Sequence, residues 1–249
     1  MNTMDFRLAY CEDAPFRCER LREFYGARPQ DRIFARIEVP TTALREFAEH
    51  YPAGPALQPA IDERVSFWDG MLKERAAVCD DSIPSAYLSE MDQGLYGGMV
   101  GGKVQFMADP ESGWISSMVP PILQDWSGLE ALKIDHEGEF YRYYLRFLEA
   151  FRESGRGKFG ISHFILINGL NFLFELFGAT RTYLELLDNP EKVREALNFA
   201  HRLNLDVQKK FFQEIPLLAD GTCSNMVEWI PDSAGLAGAA LAGRGNRLG

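Results

Sequence analysis

Apolar side chains fall at helical spacing in "GEFYRYYLRFLEAFRES", where Phe140, Tyr143, Tyr144, Phe147, Leu148 and Phe151 share one face; this pattern predicts an amphipathic helix. "NPEKVREALNFAHRLNLDVQKKFFQEI" repeats it with Val193, Leu197, Ala200, Val207 and Phe211 as the buried stripe, Asn189 as cap, Pro190 at the first helical position and Glu191 in the first turn. Further helices are expected over residues 60–77, in "TTALREFAEHY" behind threonine caps, and in "NGLNFLFELFGATRTYLELL" with a break near Gly178. Four short β-rich runs lie between or before them. They are "DRIFARIEVP" (31–40), "AVCDDSIP" (77–84), "KFGISHFILI" (158–167) and the strand with its exit loop in "PLLADGTCSNMVEWIP" (216–231).

Between Tyr87 and Ile134 the pattern dissolves into seven glycines, three prolines and the "GGMVGGKVQFMAD" segment, which reads as loops with a short hairpin. "GGMVGG" is followed by a β-like run and not by Gly-Lys-Ser/Thr, so it fits neither a dinucleotide fingerprint nor a phosphate loop. Strands alternating with long helices predict an α/β fold of parallel βαβ units, about four of them. A doubly wound sheet needs five or six strands to close its core, whereas a TIM barrel needs eight.

Composition narrows the function classes. With 26 basic and 36 acidic residues the formal charge is -10, which argues against a general nucleic-acid or anionic-membrane surface. The longest apolar run, Phe164 to Gly178, is interrupted by two Asn and one Glu and is too short to span a bilayer, so it is read as core. Cys11, Cys18, Cys79 and Cys223 show no CxxC spacing and no signal peptide precedes them, from which a reduced, cytoplasmic setting is expected. From Ser233 the chain turns to Ala, Gly, Leu and Arg. The fold is expected to occupy residues 1–235, with 236–249 either a foreign tail or a short natural one.

Taken in order, "RLREFYGARPQDRIFARIEVP", "AAVCDDSIP", "KFGISHFILINGLNFLFELFGA", "LLDNPEKVREALNFAHRLNL" and "DGTCSNMVEWIPDSAG" resemble the N-terminal half of the uroporphyrinogen decarboxylase superfamily, in its uncharacterised bacterial branch. The resemblance runs from about Arg17 to Gly235. It implies a TIM-barrel-like (β/α) fold, incomplete at about four βα units, with its site at the carboxyl ends of the strands. It also implies an open strand edge inviting association, so a homodimer is one expected partner besides a small-molecule substrate.

By the same resemblance, Asp80 and Asp81 would stand at a barrel mouth and stabilise positive charge developing on a substrate before carbon dioxide leaves, without any cofactor. The alternative is that both are turn or cap residues in "DDSIP". His163 is either an acid, base or ligand at the end of the third strand or a buried histidine with a satisfied hydrogen bond. Tyr87, Trp114, Phe172 and Trp229 are candidate substrate-facing aromatics, with packing as the other reading. Where the family carries Arg-Gln-Ala-Gly-Arg this chain has "VPTTALREF", which argues against uroporphyrinogen itself as substrate.

Corrinoid-linked methyltransferases of the same superfamily hold zinc through His-x-Cys and a later Cys. No His-x-Cys occurs, and Cys223 with Cys79 and His163 would be the residues for a zinc site and a corrinoid partner. A third reading is a non-catalytic fragment.

Overall fold

The computed structural model describes residues 6–26, 33–163, 169–224 and 229–232. The expected tail (236–249), the start of the first expected strand (31–32) and the end of the third (164–167) lie outside the described residues.

Helix α1 (Ala14–Tyr25) opens the chain, followed by α2 (Thr42–His50), β1 (Gly54–Ala56), α3 (Ile61–Arg75) and β2 (Ser85–Tyr87). Then come α4 (Gly94–Met99), the hairpin of β3 (Gln105–Asp109) and β4 (Trp114–Met118), α5 (Glu139–Gly155) and β5 (Gly160–Ser162). The chain continues through α6 (Gly169–Phe177), α7 (Ala179–Asp188), α8 (Pro190–Glu214), β6 (Gly221–Cys223) and β7 (Trp229–Pro231).

Two sheets form, and the fold is mixed α/β. One is antiparallel, ordered β1-β3-β4; the other runs β2-β5-β6-β7, its first three strands parallel and β7 antiparallel. The described residues close no barrel. Three parallel strands stand where about four βα units were expected: two of the expected runs are not strands, and β2 lies just beyond one of them. Residues 33–40 enter no ladder among the described residues, and 77–84 form a turn that precedes β2.

The helices follow their apolar spacing closely. On α5, Tyr143, Tyr144, Phe147, Leu148 and Phe151 are buried, and on α8 Val193, Ala200, Val207 and Phe211 are joined by Ala196 and Leu203. Each fully buried phenylalanine on these faces contributes about 2–3 kcal/mol of transfer free energy. Thr41 Oγ1 accepts from the Leu44 N–H at 3.1 Å and caps α2. Gly178, at φ 81°, makes the break between α6 and α7. Asn189 precedes α8 as expected, but its amide donates to Glu185 at 2.6 Å and does not cap the helix.

Candidate functional site

In open α/β sheets ligands gather outside the carboxyl ends of the parallel strands. Here those ends are Tyr87, Ser162 and Cys223, and the segments leaving them carry the polar groups of interest.

Beyond Tyr87 a short 3₁₀ turn, Ser89–Met91, delivers Glu90 and then Asp92. Glu90 is wholly buried; one carboxyl oxygen is bound by Arg64 Nε from α3, whose Nη2 donates to the Gly113 carbonyl at 2.8 Å. The Arg64 guanidinium also lies over the rings of Phe67 (4.7 Å) and Phe47 (5.0 Å). Burial raises the Glu90 pKa, and the Arg64 charge works against that rise.

Asp92 and Glu175 have no such partner. Glu175 projects from α6, is 6% exposed, and neither of its carboxyl oxygens makes a hydrogen bond. Burial pushes its pKa up to about 8; the nearby Gly97 N–H lowers it a little and the Asp92 charge raises it further. Asp92 is half-buried with an orphaned Oδ1, and burial lifts it to about 6 against the Gln93 N–H. Helix α4 forms the cover. A methyl at Gly97 would strike the Glu175 carboxyl and Val119, and one at Gly94 would lie 2.7 Å from the Met118 nitrogen, so only glycine allows this close approach.

Near pH 7 the Glu175 carboxyl holds its proton and can donate it, while Asp92 is mostly ionised and can accept one. Among the described residues no three His, Cys, Asp or Glu side chains cluster as a metal site.

Of the expected site residues, Tyr87 and Trp114 meet edge-to-face at 5.0 Å between ring centres, next to this acid group. Asp92 and Glu90 lie close enough to Tyr87 to push its phenol further up, beyond the effect of burial. A cavity of about 100 Å³ opens beside Trp114, bounded by Phe67, Trp68, Met71, Arg36 and Arg75. His163 follows β5 at its carboxyl end, 8% exposed; its Nε2 meets the Gln208 side-chain oxygen and its ring stands edge-on to Phe211 at 4.8 Å. Phe172 and Trp229 are fully buried, one stacked on Phe199 and the other donating its indole N–H to Leu218 O at 2.8 Å.

Asp80 and Asp81 are placed differently from expectation. They precede β2 and so stand at its amino end, because the strand begins after Pro84 and not at Ala77. Asp80 accepts from Arg75 (2.7 Å), Arg17 (3.2 Å), the Ser82 hydroxyl (2.7 Å) and the N–H groups of Ser82 and Ile37 (both 3.0 Å). Burial raises its pKa, but the Ile37 N–H, Ser82 and Arg75 outweigh that and hold it below the usual carboxylate range. Asp81 binds Arg20 at 2.8 Å and the Ala35 N–H at 3.0 Å. These are anchors for α1 and for residues 33–40.

Cys223 packs with Cys11, Cys18 and Trp229, its thiol pushed up to about 12 by burial. His163 N donates to the Cys223 carbonyl at 2.6 Å, so the two residues are neighbours through the backbone, while Cys79 is exposed.

Compared with known protein families, curated proteins and solved structures, the chain matches none. No helix among the described residues is long and apolar enough to cross a membrane.

Proposed function

We propose that the chain carries an acid–base site for decarboxylation of a small organic acid, in the manner of the superfamily it resembles, with Glu175 as proton donor. The observation that carries this reading is a buried Glu175 with both carboxyl oxygens orphaned and its proton held at neutral pH, next to a half-buried Asp92 with one orphaned oxygen at the carboxyl end of the parallel strands. When the bond to the carboxylate carbon breaks, carbon dioxide leaves and the electron pair stays on the substrate carbon. The neutral Glu175 carboxyl delivers a proton to that carbon and is then reprotonated from water. Asp92, once ionised, stabilises positive charge on a substrate protonated before cleavage. Tyr87 and Trp114 supply an aromatic wall next to the pair. The chemistry needs no cofactor.

The test is carbon dioxide release from a panel of small keto and aromatic acids, with uroporphyrinogen included, measured for the whole chain and for Glu175→Gln and Asp80→Asn. Glu175→Gln is expected to lower kcat by about 100-fold or more, while folded Asp80→Asn keeps its rate. No turnover on any member of the panel, or an unchanged rate in Glu175→Gln, would sink the reading.

A further inference from the structure

Helix α7 is turned inside out. Its inward side is polar: the hydroxyl of the fully buried Thr182 reaches the carbonyls of Leu173 (3.0 Å) and Gly178 (2.9 Å). Beside it the buried Glu185 accepts from Trp126 Nε1 and Asn189 Nδ2, both at 2.6 Å, and from Arg181 Nε at 3.0 Å. The outward side is apolar. Tyr183, Leu184 and Leu187 are 57%, 56% and 82% exposed, and by helical spacing they share one face with the exposed Ala179, Thr180 and Leu186. The Phe174 ring from α6 leans on Tyr183 at 5.6 Å and widens that face. Rolling the helix to bury its leucines would strand Thr182 and Glu185, so the face can be covered only from outside. It shows about 400 Å² of apolar surface, as much as a monomer ordinarily leaves bare in its largest patch.

We infer that α7 packs antiparallel against α7 of a second copy of this chain, about a two-fold axis between Tyr183 and Leu184. The face is complementary to itself. With Tyr183 of each copy opposite Leu184 of the other, Leu187 falls beside the smaller Thr180, and Asp188 comes level with Ala179 at the other helix's amino end. There the first N–H groups of α7 lack helical acceptors and carry the positive end of its dipole, so each exposed Asp188 carboxylate meets opposite charge. The area fits as well: two such faces with their flanks enclose on the order of 1,000 Å², the size of a weak, reversible interface. A lipid surface is the poorer occupant. The basic groups on α7 and at the start of α8, Arg181, Lys192 and Arg194, are each paired with a glutamate, Glu185, Glu195 and Glu191, so the rim offers no surplus positive charge to an anionic membrane.

Sedimentation velocity of the whole chain from about 1 to 100 µM, a range suited to a small interface, tests this with three variants whose altered side chains are all exposed. The wild type is expected to dimerise. Leu187→Glu sets a carboxylate into the apolar seam from both copies and should weaken the dimer at least about 100-fold, out of this range. Asp188→Lys turns a cation toward each amino end and should weaken it about tenfold. Phe16→Ser, which removes an exposed phenylalanine on α1, should leave the dimer as it is. A wild type still monomeric at about 100 µM, a dimer that survives Leu187→Glu or is unmoved by Asp188→Lys, or one lost equally in Phe16→Ser overturns the inference. So does binding of the wild type to phosphatidylserine vesicles that Leu187→Glu abolishes, which would give the face to a membrane.

Discussion

The two ends of β2 lie beside carboxylates that are treated in opposite ways. At the amino end Asp80 accepts five hydrogen bonds, two of them from arginines, and sits below its ordinary pKa. At the carboxyl end Asp92 and, across from it, Glu175 have orphaned oxygens and sit above theirs. Burial acts upward on all three; the difference is whether donors are present to overcome it. A saturated carboxylate has nothing left to offer a substrate. An unsaturated one is costly to the fold and available for proton transfer, which is why the second end is the candidate site.

The widest separation between the two ends should appear in the pH dependence of stability. Glu175 titrates near 4.5 ordinarily and near 8 in the fold, so between those values the native state keeps a proton that the unfolded chain has lost. Stability therefore falls as pH rises through that window, by up to about 5 kcal/mol for this group. Glu175→Gln should remove most of that slope, read from urea melts at pH 5 and pH 8; an unaltered slope would contradict the assignment. Asp80 has the opposite sign. Its depressed pKa gives stability that is present above about pH 4 and lost as the pH falls through the folded value.

Breaking the amino end comes next in size. Asp80→Ala strands Arg75 and Arg17 in a buried setting and should cost about 3–5 kcal/mol by thermal or urea unfolding. A loss under about 1 kcal/mol would mean the network is ornamental. Gly97→Ala drives a methyl into the Glu175 carboxyl and Val119 and should cost about 2 kcal/mol. A neutral result there would show that α4 is not pressed onto the acid pair. Smallest of all, Arg20→Ala removes the more exposed Asp81 pair and should cost about 1 kcal/mol. If it matched Asp80→Ala in the same melts, the two aspartates would be one network and not a buried anchor beside a less buried one.

The helices were readable because their information is local. Phe147, Phe211 and the Gly178 break all follow from spacing or from one residue's backbone freedom. Helix α1 was not foreseen, since it buries only Ala14 and Cys18 and leaves Phe16 exposed, so its apolar residues trace no single face. The strand expected at 77–84 failed because "AAVC" is an apolar run that serves as a turn, while the true strand is three residues after a proline. That one displacement moved Asp80 and Asp81 to the other end of the sheet. Glu90, Asp92, Glu175 and Arg64 were passed over as site residues. For Glu175 a signal did exist, a lone carboxylate inside the apolar run "NFLFELFG", which is unexpected in a core unless it has a purpose.

By itself, then, the amino-acid sequence determined the long helices, the Thr41 cap and a mixed α/β fold, since each depends on neighbours within a few turns of chain. Only the tertiary structure decided which acids are satisfied and which are stranded. Hydrogen-bond donors and water are supplied or withheld by residues remote in sequence: Arg17 and Arg75 converge on Asp80, while α4 and Val119 seal Glu175 without offering it a firm partner.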